Sequence, residues 1–212
     1  MSTARLKVMF IGDSITAGTG GQTNLGGYSA QTAQGRLHNG VTWRRTGTLT
    51  LGYDDSLFSG GSGFRIDQML VPTGLDLTTF KPDIVVMHVG TNDATQRVAG
   101  GVPTLATSQA SLTTLLDAVR AAKANCVVFF AQIVPNTDAA TDAVITTQNA
   151  AFVTQIGLRS DAALISIVDQ NAAIKANAAW ATQWMSDTTH PNYRGYNVMA
   201  AAWRTALTTA GY

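Results

Sequence analysis

The sequence predicts an α/β protein, with a five-stranded parallel sheet covered by helices on both faces. Two observations carry this. Short runs rich in branched and aromatic residues recur along the chain, and longer stretches with apolar residues at helical spacing lie between them. Strands that alternate with helices build βαβ units, and these form a three-layer α/β/α, flavodoxin-like arrangement. A chain of 212 residues is long enough for one full core, so residues 1–212 read as a single domain.

The clear strand candidates are residues 6–11, 83–89, 126–132 and 163–168, with 41–46 as a weaker fifth. Helical patterns fall at 28–38, ending at Asn39-Gly40, at 104–124, at 141–158 and at 192–210. In the second, Leu105, Leu112, Leu115, Leu116 and Val119 share one face. Two glycine-rich loops, Gly18-Thr19-Gly20-Gly21 and Ser59-Gly60-Gly61-Ser62-Gly63, fall at the carboxyl ends of strands, where parallel sheets bind their ligands.

Composition narrows the function classes. The formal net charge is +1 and Arg44-Arg45 is the only adjacent basic pair, which argues against nucleic acid or an anionic membrane surface as a partner. All 13 acidic residues are Asp. The absence of Glu excludes a His-Glu-x-x-His zinc site and any Glu acid/base pair. Cys126 is the single cysteine, so no intrachain disulfide or Cys zinc cluster forms. It lies in an apolar run and reads as an inert buried thiol. No stretch of sequence is long and apolar enough to span a bilayer. No signal peptide is visible, while the Thr- and Ala-rich, Lys-poor composition leans toward secretion.

The chemistry starts at Ser14. The first apolar run breaks at Gly12-Asp13-Ser14-Ile15-Thr16, which sets a serine at the rim of the sheet. Serine is a weak nucleophile until a base takes its proton. Three histidines are available. His38 precedes Asn-Gly and reads as a solvated cap; His88 lies within a strand and reads as a satisfied core residue. His190 lies in a loop before the last helix, with Asp187 three residues earlier. A carboxylate at that spacing can bond one ring nitrogen and leave the other facing a serine. A turn aspartate beside a capping histidine is the alternative reading of the same residues. Asn92, in Gly90-Thr91-Asn92-Asp93 after a strand, can aim an amide into the site, and Gly63 can offer a backbone N–H. Both also suit an ordinary turn.

Taken in order, these blocks resemble the SGNH (GDSL-type) hydrolases. Gly12 to Ile15 match the first block, Ser62-Gly63 the glycine block, Gly90 to Asp93 the Gly-x-Asn-Asp block, and Asp187 to His190 the Asp-x-x-His block. Within that superfamily, the stretch from Gly18 to Tyr28 and residues 58–66 look most like carbohydrate esterase family three. This chain has Ser186 where those relatives carry an aromatic residue before the aspartate. The resemblance implies the SGNH hydrolase fold. It also implies a serine esterase that removes short acyl groups, above all O-acetyl groups from carbohydrate such as xylan, through an acyl-enzyme. Ser14, His190 and Asp187 would form the triad, and Ser14, Gly63 and Asn92 the oxyanion hole. Such a mechanism needs no metal or cofactor. Asp13 reads as a structural partner of the loops rather than a second base.

Other readings stay open. A general short-chain carboxylesterase, thioesterase or lipase would use the same blocks, and a non-catalytic carbohydrate-binding domain could keep the fold. An α/β-hydrolase needs a mid-chain Gly-x-Ser-x-Gly, whereas here the pattern is Gly12-x-Ser14-x-Thr16 near the start. A dinucleotide site fails because Thr23 stands at the third glycine position.

Overall fold

The computed structural model describes residues 6–21, 27–29, 32 and 57–212. Five parallel strands form its sheet: β1 (Val8–Gly12), β2 (Leu57–Gly60), β3 (Ile84–His88), β4 (Val127–Gln132) and β5 (Ile165–Asp169), in the order β2-β1-β3-β4-β5. Four of the strands were expected. The candidate strand at 41–46 and the pair Arg44-Arg45 lie outside the described residues, as does His38 with most of the 28–38 helix. Among the described residues, β2 is the edge strand and lies beside β1, pairing Met9 with Leu57 and Gly12 with Gly60.

Every residue of β1 and of β3 is buried, as expected for strands covered on both faces. Alternation along β1 divides the core in two. Met9 and Ile11 face α2 (Ile66–Phe80), α4 (Leu105–Ala122) and α5 (Ala139–Gly157), through Met69, Leu77, Leu115 and Phe152. Val8 and Phe10 face the opposite layer, built on Tyr28, Ile174 and the α8 helix (Tyr193–Thr209) with its Tyr196, Met199 and Trp203. Further α-helices among the described residues are α1 (Ser14–Ala17), α3 (Thr91–Gly100), α6 (Gln170–Lys175) and α7 (Trp180–Gln183). Polar caps start the long helices: the Asp138 carboxylate accepts the Thr141 N–H at 2.9 Å, and Asn192 Oδ1 accepts the Arg194 N–H at 2.9 Å. Among the described residues no helix is long and apolar enough to cross a membrane.

The chain leaves β1 toward β2 on one side and returns to β3 on the other. This reversal opens a crevice at the carboxyl ends of β1 and β3. Ser14 follows β1 and Asn92 follows β3, so the two residues border the same crevice.

Candidate active site

Asp13 builds the turn that presents the serine. Its carboxylate accepts the Ile15 N–H at 3.0 Å and caps α1, and Gly18 closes that single turn of helix with φ 91°. Ser14 is thereby the first residue of α1 and is 8% exposed.

Ser14 Oγ lies 2.9 Å from His190 Nε2. On the other side of the ring, His190 Nδ1 lies 2.9 Å from Asp187 Oδ2 and 3.1 Å from Oδ1. The structure therefore brings together three residues that span almost the whole chain. The Asp187–His190 turn is closed from within: Asp187 Oδ1 accepts the N–H groups of Thr189 at 2.8 Å and His190 at 2.7 Å. Partial burial pushes the Asp187 carboxyl up, but these N–H groups and the imidazole outweigh that and hold it below the usual range. The turn is also tied outward. Thr188 accepts the Thr137 N–H at 2.9 Å, the Asn136 amide donates to Thr189 Oγ1 at 3.1 Å, and Ser186 donates both N–H and hydroxyl to the His190 carbonyl.

Asn92 lies in the first turn of α3 rather than in a free loop. Its Nδ2 donates to the Phe64 carbonyl at 3.0 Å, which draws the Gly63 segment beside it. An amide NH2 carries two donors, so one N–H remains for another acceptor. Gly63 holds φ +79°, and a Cβ there would meet nothing within 4 Å. The space above it is open.

Asp13 lies beneath this site, fully buried. Burial raises its carboxyl to about 6, drawn back in part by the Ile15 N–H, the Thr91 hydroxyl and His190. Its hydrogen bonding is that of a structural cap. His88 is buried, as expected, but it is only half satisfied: Nε2 accepts the Val134 N–H at 3.4 Å, while Nδ1 has no partner among the described residues. Burial lowers its ring to about 4, so at neutral pH it is an uncharged core group.

Several residues around the site escaped the sequence reading. Asp93 accepts the Ile66 N–H at 3.0 Å and fixes the start of α2 to α3. Tyr196 donates its hydroxyl to the Thr19 carbonyl at 2.6 Å, joining the loop after α1 to α8. Gln148 is fully buried on α5 and donates to the Gly90 carbonyl at 2.8 Å. The available signal for Gln148 was its place on the buried stripe with Ile145 and Phe152. A polar residue on an apolar face needs a specific partner.

Solved structures with the same fold include a family 3 carbohydrate esterase from Talaromyces cellulolyticus, with TM-score 0.73, 24% identity and 97% of each chain covered. Another is a family 3 carbohydrate esterase from Clostridium thermocellum, with TM-score 0.72, 23% identity and coverage of 97% of this chain and 98% of that one. A lipase from a goat rumen metagenome aligns with TM-score 0.71, 19% identity and 98% of each chain. At these identities the likeness is one of fold. No curated protein matches the chain in sequence. Matched along residues 10–198, the chain belongs to the GDSL-like Lipase/Acylhydrolase family and is a hydrolase of that superfamily.

Proposed function

We propose that the protein is a serine esterase that removes short acyl groups, most specifically O-acetyl groups from carbohydrate. The observation that carries the reading is the 2.9 Å approach of Ser14 Oγ to His190 Nε2, with Asp187 on the far side of the ring.

Ser14 Oγ attacks the ester carbonyl carbon while His190 Nε2 takes its proton, and Asp187 holds the tautomer and stabilises the imidazolium. The carbonyl oxygen becomes an oxyanion, met by the N–H of Ser14, the N–H of Gly63 and the second amide N–H of Asn92. As the tetrahedral species collapses, the C–O bond to the alcohol breaks and the alcohol leaves with the proton from His190. Water, deprotonated by the same histidine, then attacks the acyl-enzyme, and the acid departs as Ser14 regains its proton.

Family membership supports ester hydrolysis, and the two family 3 carbohydrate esterases among the structural neighbours favour acetylated sugars. The test has two parts. A fluorophosphonate should label the folded protein at Ser14, and the Ser14→Ala variant should neither label nor turn over. A folded wild type that never labels would point to a carbohydrate-binding module instead. A panel from p-nitrophenyl acetate to decanoate, run beside acetylated xylan, should then show acetate released from the sugar and a preference for the shortest acyl chain. A preference for long chains with no acetate from xylan would replace the carbohydrate reading with a lipase one.

A further inference from the structure

Helix α3 carries Asn92 yet has little apolar surface to seat it. Its buried residues are Thr91, Asp93 and Ala94, and only Ala94 joins an apolar cluster, a small one with Ile133 and Ile145. A helix so polar is placed by hydrogen bonds instead. Gln148 makes two of them from α5. Its Nε2 donates to the Gly90 carbonyl at 2.8 Å, and its Oε1 accepts from Arg97 Nη2 at 3.0 Å. Arg97, in the last turn of the same helix, is itself held by the Pro103 carbonyl at 2.8 Å and Ser108 Oγ at 2.9 Å.

The contact at Gly90 is close. Gly90 caps α3 with φ +109°, and a Cβ on it would fall 2.7 Å from Gln148 Nε2. Its carbonyl also accepts the Ala94 N–H at 3.1 Å, the first bond of the helix. One carbonyl therefore joins the buried amide to the turn that carries Asn92. Gln148 is 0% exposed and reaches α3 through Gly90 and Arg97.

We infer that Gln148, braced by Arg97, is a positioning residue for the oxyanion hole: it fixes the Gly90 carbonyl, and through it the direction of the Asn92 amide. The inference rests on the reading of Asn92 as an oxyanion donor. A donor shifted by a fraction of an ångström loses much of its effect on a transition state, while ground-state binding is hardly touched.

The experiment is a mutant cycle on p-nitrophenyl acetate. Asn92→Ala should lower kcat by about 10²–10³, the usual loss for one oxyanion donor. Gln148→Met should lower kcat by roughly 10–100-fold and leave KM within about twofold. The double variant should be no slower than Asn92→Ala alone, because both changes remove the same interaction. Gln148→Glu is the second variant: it keeps the acceptor for Arg97 but sets a carboxylate against the Gly90 carbonyl. It should fold with a lowered melting temperature, because a buried carboxylate then faces a carbonyl oxygen, and should lose kcat with KM little changed. Wild-type turnover in Gln148→Met or Gln148→Glu, or a double variant that loses the product of the two factors, would overturn the inference. Wild-type turnover in Asn92→Ala would overturn the oxyanion reading itself.

Discussion

Gly20 and Ser186 meet with no room for a carbon atom between them. A Cβ on Gly20 would fall 2.2 Å from Ser186 Oγ, 2.9 Å from the Pro191 carbonyl and 3.1 Å from His190 Cβ, and Gly20 holds φ +83°. The glycine-rich loop after α1 is thus the seat of the turn that carries His190. Gly20→Ala should cost about 1 kcal/mol in backbone strain. It should also lower kcat by roughly tenfold or more, by displacing His190 from Ser14. Adding Ser186→Ala relieves only the hydroxyl contact. The Pro191 carbonyl stays in place, so the double variant should remain impaired in both melting temperature and turnover.

Asp187 acts on His190 twice, once at the ring and once at the backbone. Asp187→Asn can keep its carbonyl oxygen on the Thr189 and His190 N–H groups while turning its NH2 toward His190 Nδ1. The ring must then carry its proton on Nε2, where it cannot accept from Ser14. Turnover should fall by about 10⁴ with little change in melting temperature. Asp187→Ala removes the two turn bonds as well, at 2.8 and 2.7 Å, and should lower the melting temperature too. Saturation kinetics and a thermal melt on both variants separate the two roles.

What could be read from the sequence follows the range of the interactions. Ser14, Asp187 and His190 were legible because the aspartate and histidine share one turn and the serine ends a fully apolar strand. Helix α2 was missed because Pro72 and Gly74 interrupt it, although Ile66, Met69, Leu77 and Phe80 mark its buried face. Helix α3 was missed because Gly90, Thr91, Asn92 and Asp93 suit a turn as well as a helix start, and the polar contacts that hold it come from distant parts of the chain. Strand β2 has four residues at the edge of the sheet, too short to give a period-2 signal. Gln148 and Arg97 are 51 positions apart, and no local pattern announces their pairing.

Cys126 is fully buried, and burial pushes its thiol up to about 12. The thiolate is the reactive form. The native protein should therefore resist an aromatic disulfide reagent at pH 8, and one thiol per chain should react once the protein is unfolded in guanidinium. Rapid labelling of the native state would show that the segment joining α4 to β4 opens readily. Turnover should be unaffected by reagent applied to the native enzyme, since no step uses the thiol.

Asp13 and His88 pull stability in opposite directions over one pH window. Asp13 rises from 3.8 to about 6 on folding, so the folded state holds its proton more tightly. That stability is present below pH 4 and is lost as pH rises through 6. His88 falls from 6.5 to about 4, so its stability is present above 6.5 and is lost as pH falls through 4. Each difference corresponds to roughly 3 kcal/mol. Asp161, held near 2 by Arg159 and Arg120, contributes a nearly constant amount across this range, because its folded and unfolded values both lie below 4. The wild type should accordingly show little change in stability between pH 4 and 6. Asp13→Asn leaves the His88 slope opposed only by Asp93, whose carboxyl burial also raises, and should lose up to about 3 kcal/mol on acidification from pH 6.5 to 4. His88→Gln, whose side-chain oxygen can still accept the Val134 N–H, should gain stability over the same range. Urea midpoints at half-unit steps of pH measure all three slopes. Equal slopes in the wild type and Asp13→Asn would show that the buried carboxyl keeps an ordinary pKa.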